Sequence, residues 1–152
     1  SMLEICTGLG YSSIQCLKRG IESLLTIEKD PHVIELSRIN PWSKELFTDE
    51  RVELIEGDAA IVVQEMEPEI FDSILLDPPR WPWGSELYAT EFYLELFRIL
   101  RPRSILYHYV GSPGAKYRKQ DIAKGVITRL REAGFQNVER VPNVLGVLAK
   151  KL

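Results

Sequence analysis

Four short stretches hold the residue types that could do chemistry. In "EICTGLGYSS", residues 4–13, Thr7-Gly8-Leu9-Gly10 follows an apolar run. Glycines there let the backbone turn tightly and approach a ligand that a Cβ would block. Glu28 comes 20 residues after Gly8, the separation at which an acid reaches ribose hydroxyls. In "EGDAA", residues 56–60, Asp58 offers a carboxylate suited to accept a hydrogen bond from an adenine amino group. In "ILLDPPRWPWG", residues 74–84, an apolar run ends at Asp77, followed by two prolines, Arg80 and Trp81. A carboxylate on such a stiffened turn can orient a nucleophile and take its proton. Each feature alone has a plainer reading, since Asp30 and Asp58 serve equally well as helix N-caps. A dinucleotide site would need a third glycine where Ser13 stands and a partner for the pyrophosphate. The loop therefore suits a nucleoside without phosphates.

These groups can converge only if the elements between them bring strand ends together. Apolar runs predict strands at 3–6, 23–28, 52–56, 71–77, 104–110, 137–141 and 144–149. Helical patterning predicts helices at 12–19, 31–39, 59–66, 86–100 and 120–133, with Pro102 ending the fourth and Gly134 ending the last. Alternation of this kind makes an α/β, doubly wound, mostly parallel sheet with helices on both faces. The final two strands are joined by little more than Pro142-Asn143, which permits only an antiparallel pair, so one strand near the edge should run backwards. Ligands of such sheets bind beyond the carboxyl ends of the strands, where the Gly loop, Glu28, Asp58 and Asp77 all fall.

The 152 residues, 45% hydrophobic, fit a single domain over 1–152. The first strand opens at residue 3, which raises the expectation that an N-terminal region of a longer protein is absent. No run approaches the ~20 apolar residues of a membrane span, and no signal peptide is recognisable, so a cytoplasmic location is expected. Cys6 and Cys16 have neither disulfide-framework nor zinc-site spacing and read as reduced thiols, and no metal is expected. The net charge of −3 hides an asymmetry: residues 1–97 hold 7 Lys/Arg against 19 Asp/Glu, and residues 98–152 hold 12 against 3. The basic part could draw phosphate-bearing partners such as nucleic acid, although solvated helix faces give the same count.

The Gly loop, the acids at successive strand ends and the reversed last strand together resemble the class I S-adenosylmethionine-dependent methyltransferases, with their Rossmann-like seven-stranded sheet. The resemblance implies S-adenosylmethionine as cofactor. It places the methionine part at Glu4, Thr7, Gly8 and Gly10, the ribose at Glu28 and the adenine at Asp58 and Ala59. Cys6 stands where that family has its first glycine, which narrows the loop. The Cys-Thr-Gly-Leu-Gly-Tyr loop, the Asp-Pro-Pro-Arg segment and the His-Tyr-Val-Gly strand end resemble a group of uncharacterised archaeal-type methyltransferases.

Asp-Pro-Pro also resembles the catalytic segment of amino-methylating nucleic-acid enzymes. The likeness implies that Asp77 and the carbonyl of Pro78 hold an exocyclic amine, with Trp81 available to stack on a base. Arg80 departs from that pattern and could clamp a phosphate or carboxylate. "SELYATEFYLELFRILRP", residues 85–102, is instead similar to the segment after the catalytic Asp of spermidine synthases, but their second Asp and glycine-rich loop are absent. Methyl transfer to nitrogen, or less readily oxygen, therefore ranks above aminopropyl transfer. A cofactor-binding domain without catalysis is the rival of another class. The acceptor is left open among an RNA or DNA base, a protein and a small amine, as is the oligomeric state. Residues 86–100 read as a helix with an inward apolar face, leaving Tyr88 as a pocket candidate. One of His108 and Tyr109 must face the interior, so at most one can line the pocket, and His108 suits a structural role at least as well as that of a base.

Overall fold

The computed structural model of the chain describes residues 1–79, 84–111 and 122–152. Arg80 and Trp81, and the basic stretch at Tyr117, Arg118 and Lys119, lie outside the described residues. The seven strands are β1 (Met2–Ile5), β2 (Leu24–Glu28), β3 (Val52–Glu56), β4 (Phe71–Leu76), β5 (Leu100–Tyr109), β6 (Gln136–Val141) and β7 (Gly146–Lys151). They form one sheet in the order β3-β2-β1-β4-β5-β7-β6. Pairings among β1 to β5 are parallel, and β7 runs antiparallel to both β5 and β6. The backward strand expected from the short link is therefore β7, next to the edge.

Helices α1 (Tyr11–Lys18), α2 (Pro31–Ile39), α3 (Glu45–Thr48), α4 (Ala59–Val62), α5 (Thr90–Ile99) and α6 (Ile122–Glu132) flank the sheet. Side chains alternate across a strand, and the core divides accordingly. Leu3 and Ile5 of β1 pack in a cluster with Phe92, Tyr93 and Leu96 of α5 and Val126 and Leu130 of α6. Met2 belongs to a second cluster with Leu17 of α1 and Leu24 of β2. β1 is buried along its whole length because it lies between β2 and β4 with both faces covered. None of the helices formed by the described residues is long and apolar enough to cross a membrane.

Three of the boundaries that differ from the sequence expectation have a clear physical reason. β5 starts at Leu100, directly after α5, so Pro102 lies inside the strand instead of ending the helix. The pairing with β4 slips between Phe71 and Ser73, and Arg103 is left-handed (φ 66°). Such an irregular stretch tolerates a residue with no N–H to donate. The helix expected from residue 86 begins only at Thr90, because Ser85–Tyr88 forms a 3-10 turn. β7 begins at Gly146, after a 3-10 turn over Pro142–Val144. A Cβ on Gly146 would sit 2.4 Å from the Tyr107 ring, so only glycine lets β7 cross that ring. The α3 helix had no counterpart in the sequence expectation.

Candidate active site

β1 and β4 are neighbours, but the chain leaves β1 toward β2 and β3 and leaves β4 toward β5, so the strand order switches between them. A cleft of about 790 Å³ opens at these strand ends, where a doubly wound sheet binds its ligands. Thr7, Gly8, Glu28, Asp58, Ala59 and Asp77 all line it. Six of the residues expected to bind cofactor or act in catalysis thus converge from four strand ends.

The floor is built from the loop after β1. Cys6, Gly8 and Gly10 are all left-handed, with φ of 71°, 56° and 74°. Cys6 occupies the place of the glycine expected by resemblance and adopts the conformation a glycine would take at least cost, a strain of about 1–2 kcal/mol. The two glycines serve different ends. A Cβ on Gly8 would meet no protein atom within 4 Å, whereas one on Gly10 would press to 2.8 Å from Leu46. Gly8 keeps space on the cleft, and Gly10 lets α3 pack under the loop.

Glu28 closes β2 and ties the loop to it. Its two carboxylate oxygens accept hydrogen bonds from the backbone N–H of Gly8 (3.0 Å) and of Asp30 (3.0 Å). A carboxylate has about four acceptor sites, so lone pairs are left for two ligand hydroxyls. Asp58 does cap α4, through Oδ1 and the Ala60 N–H at 3.0 Å. It also faces the cleft, with Oδ2 2.5 Å from Lys29 Nζ. The hydrogen bond from the Lys29 ammonium, opposed by burial and helped by the Ala60 N–H, holds its carboxyl below the usual range.

Asp77 is the first residue past β4, and its N–H donates to the Ile5 carbonyl at 3.1 Å, continuing the ladder with β1. Burial pushes its carboxyl above the ordinary value, although the residue as a whole remains open to solvent on the cleft side. The turn behind it is clamped. The Tyr88 hydroxyl donates to the Pro79 carbonyl at 3.3 Å, and a Cβ on Gly84 would meet Pro79 Cγ at 2.9 Å. Pro79, not Pro78, is the proline lining the cleft, and Pro78 is buried.

Glu4, Gly10, Tyr88, His108 and Tyr109 are not among the residues lining the cleft. Glu4 lies beneath the floor, fully buried, where it accepts hydrogen bonds from the hydroxyls of Ser12, Ser13 and Thr26. Thr26 spends its proton on Glu4, so Thr7 must be the donor in the 2.6 Å contact between the two threonines. Burial lifts the Glu4 carboxyl above its usual range in spite of those donors. Glu4 thus fixes Thr7 from below. Tyr88 is buried against the His108 ring, at a centroid distance of 5.0 Å. Tyr109 points outward, as the alternation along β5 requires.

His108 is fully buried and both ring nitrogens are engaged. Nδ1 is 2.9 Å from the Tyr109 carbonyl and Nε2 is 2.9 Å from the Tyr93 hydroxyl. A carbonyl can only accept, so Nδ1 carries the proton and Nε2 accepts from Tyr93. Burial drives its pKa down to about 3, and the ring is neutral. The unfolded chain takes up that proton near pH 6.5 and the folded chain does not, so His108 contributes stability that is lost as pH falls from 6.5 toward 3. Between pH 7 and pH 5 the loss is about 2 kcal/mol. Urea unfolding at the two pH values should show it, and His108→Phe should flatten that part of the pH dependence.

The sequence reading passed over Lys29 and Glu86, which also line the cleft. Lys29 stands beside Glu28 at the end of β2, and Glu86 lies in the turn that follows the Asp-Pro-Pro segment. Adjacency to a recognised site residue was the available signal. Among the described residues lining the cleft, five are acids (Glu28, Asp30, Asp58, Asp77, Glu86) and one, Lys29, is basic. Such a lining attracts cations and repels phosphates.

Sheet order and cleft together define a Rossmann-like, doubly wound domain, a fold that solved S-adenosylmethionine-dependent methyltransferases share. A solved example from Archaeoglobus fulgidus aligns over 99% of this chain and 85% of its own, with a TM-score of 0.72 and 13% identity. Spermidine synthase in complex with the transition state analogue AdoDATO shares the fold at a TM-score of 0.81 and 22% identity, over 97% of this chain and 53% of its own. Over residues 1–138 the chain belongs to the family described as conserved hypothetical protein 95. An uncharacterized protein of Methanocaldococcus jannaschii is 50% identical over 150 residues, which is 99% of this chain and 51% of the relative. A polyamine aminopropyltransferase of Mycobacterium tuberculosis is 31% identical over 145 residues, 89% of this chain and 27% of the relative. Putrescine N-methyltransferase 2 of Nicotiana attenuata is 30% identical over 109 residues, 69% of this chain and 29% of the relative. The chain thus spans about half or less of the length of these relatives, and those with a named activity are transferases.

Proposed function

We propose that the chain is an S-adenosylmethionine-dependent transferase that methylates a nitrogen, with a small amine as the acceptor class. The observation that carries this reading is the acidic cleft at the strand switch, with Asp77 at its wall. The residues present fit a sulfonium nucleoside. Space is kept at Gly8, Glu28 has acceptor capacity left for a ribose, and the lining favours a positive charge over a phosphate. Thr7 and Gly8 would face the methionine part, Glu28 the ribose, and Asp58 with Ala59 the adenine. Glu4 and Gly10 support that loop from outside the cleft.

When bound, the sulfonium supplies a methyl group that is already activated. The chain's own contribution is then largely positioning. Asp77 orients the attacking nitrogen and accepts its proton, and the clamped prolines hold the carboxylate in place. Arg80 and Trp81 follow this turn directly in the chain and are candidates to contact the acceptor. The acids that suit an amine oppose a phosphate-rich acceptor at the cleft, which places a nucleic-acid base behind a small amine.

Aminopropyl transfer is the second reading, favoured by the likeness to the mycobacterial enzyme and by the lining, since a donor lacking its carboxylate gains from an acidic cleft. Incubation with labelled S-adenosylmethionine and separate polyamine, RNA and protein pools tests the proposal, and label is expected in the amine pool. Product formed only from the decarboxylated donor would replace methyl by aminopropyl transfer. Binding of S-adenosylhomocysteine with no transfer to any pool would leave a cofactor-binding domain.

A further inference from the structure

Among the described residues lining the cleft, Lys29 is the one basic side chain beside five acids, and its ammonium is shared among three segments. It follows β2, its Nζ is 2.5 Å from Asp58 Oδ2 beside α4, and Nζ is 4.0 Å from Glu86 Oε1 in the turn after β4. The last separation is a charge contact and not a hydrogen bond. An ammonium has three N–H donors, so the bond to Asp58 leaves donors over. Asp58 in turn uses Oδ1 for the Ala60 N–H and Oδ2 for Lys29, which leaves further lone pairs. The Lys29 side chain is 65% exposed, and an ion pair in that setting adds little to stability. A role in holding the fold accounts poorly for a cation here.

The pair sets a hydrogen-bond acceptor and a donor side by side on the cleft. An adenine edge presents the complement, an exocyclic amino donor next to a ring-nitrogen acceptor, N1 on one side and N7 on the other. We infer that Lys29 is a specificity residue that donates to a ring nitrogen of the purine while Asp58 accepts from its amino group. This rests on the nucleoside reading of the cleft given above.

Calorimetry with S-adenosylhomocysteine and with its 1-deaza and 7-deaza analogues tests the assignment on the wild type, Lys29→Met and Lys29→Arg. The wild type is expected to bind the parent compound about 10-fold more tightly than the analogue lacking the nitrogen that is read. Lys29→Met should lose that factor on the parent and nothing on that analogue, and Lys29→Arg should keep part of it. Equal weakening of all three ligands by Lys29→Met, or unchanged binding of the parent, overturns the assignment while leaving the nucleoside site standing. No binding of the parent by the wild type overturns both.

Discussion

Asp77→Ala is expected to lower methyl transfer by about 10²–10⁴-fold, the usual range for a positioned acid–base group, with S-adenosylhomocysteine binding changed little. Single-turnover transfer read beside calorimetry separates the two quantities. Asp77→Asn keeps an acceptor oxygen without the basicity, so it should recover some positioning but no proton transfer. Burial raises the Asp77 carboxyl above its ordinary value. The reactive form is the carboxylate, so the rate should fall as pH drops through that raised pKa, at a higher pH than a free aspartate would give. The limb should vanish in Asp77→Asn. Transfer undiminished in Asp77→Ala would sink the catalytic role.

The second large effect is on binding. Glu28→Ala should weaken S-adenosylhomocysteine by about 100-fold, because two charge-assisted hydrogen bonds to ribose hydroxyls would be lost together. The same substitution frees the N–H groups of Gly8 and Asp30, which loosens the loop the ligand rests on. Glu28→Gln keeps one acceptor oxygen and should fall between the two. Affinity equal to wild type in Glu28→Ala would remove the cofactor assignment, whatever the behaviour of Asp77.

The strand ends were legible because apolar runs and the residues that stop them are local signals. Glu28, Asp58 and Asp77 could be placed on one rim from their spacing alone, and the short link at Pro142-Asn143 was enough to reverse β7. What escaped was set by contacts distant in sequence. Nothing near Glu4 says that Thr26, 22 residues away, helps hold its carboxylate below the floor. The helix start moved from 86 to Thr90 because Tyr88 is turned to reach Pro79. Pro102 read as a helix stop, because the slipped pairing of β4 with β5 that accommodates it is a property of two strands. The choice between His108 and Tyr109 was half legible. Alternation allowed one inward residue, but only the structure shows that His108 spends both nitrogens inside the core.

Cys6 gives the cleft a further property. A sulfonium donor is an alkylating agent, and thiolate is among the best nucleophiles a protein owns. Cys6 lines the same cleft, yet burial, reinforced by the charges of Glu28 and Asp77, pushes its thiol up to about 12. At pH 7 about one molecule in 10⁵ would carry the thiolate. Burial first, and then the carboxylates proposed to hold ribose and acceptor, keep the Cys6 sulfur protonated, which would shield it from alkylation by the proposed donor.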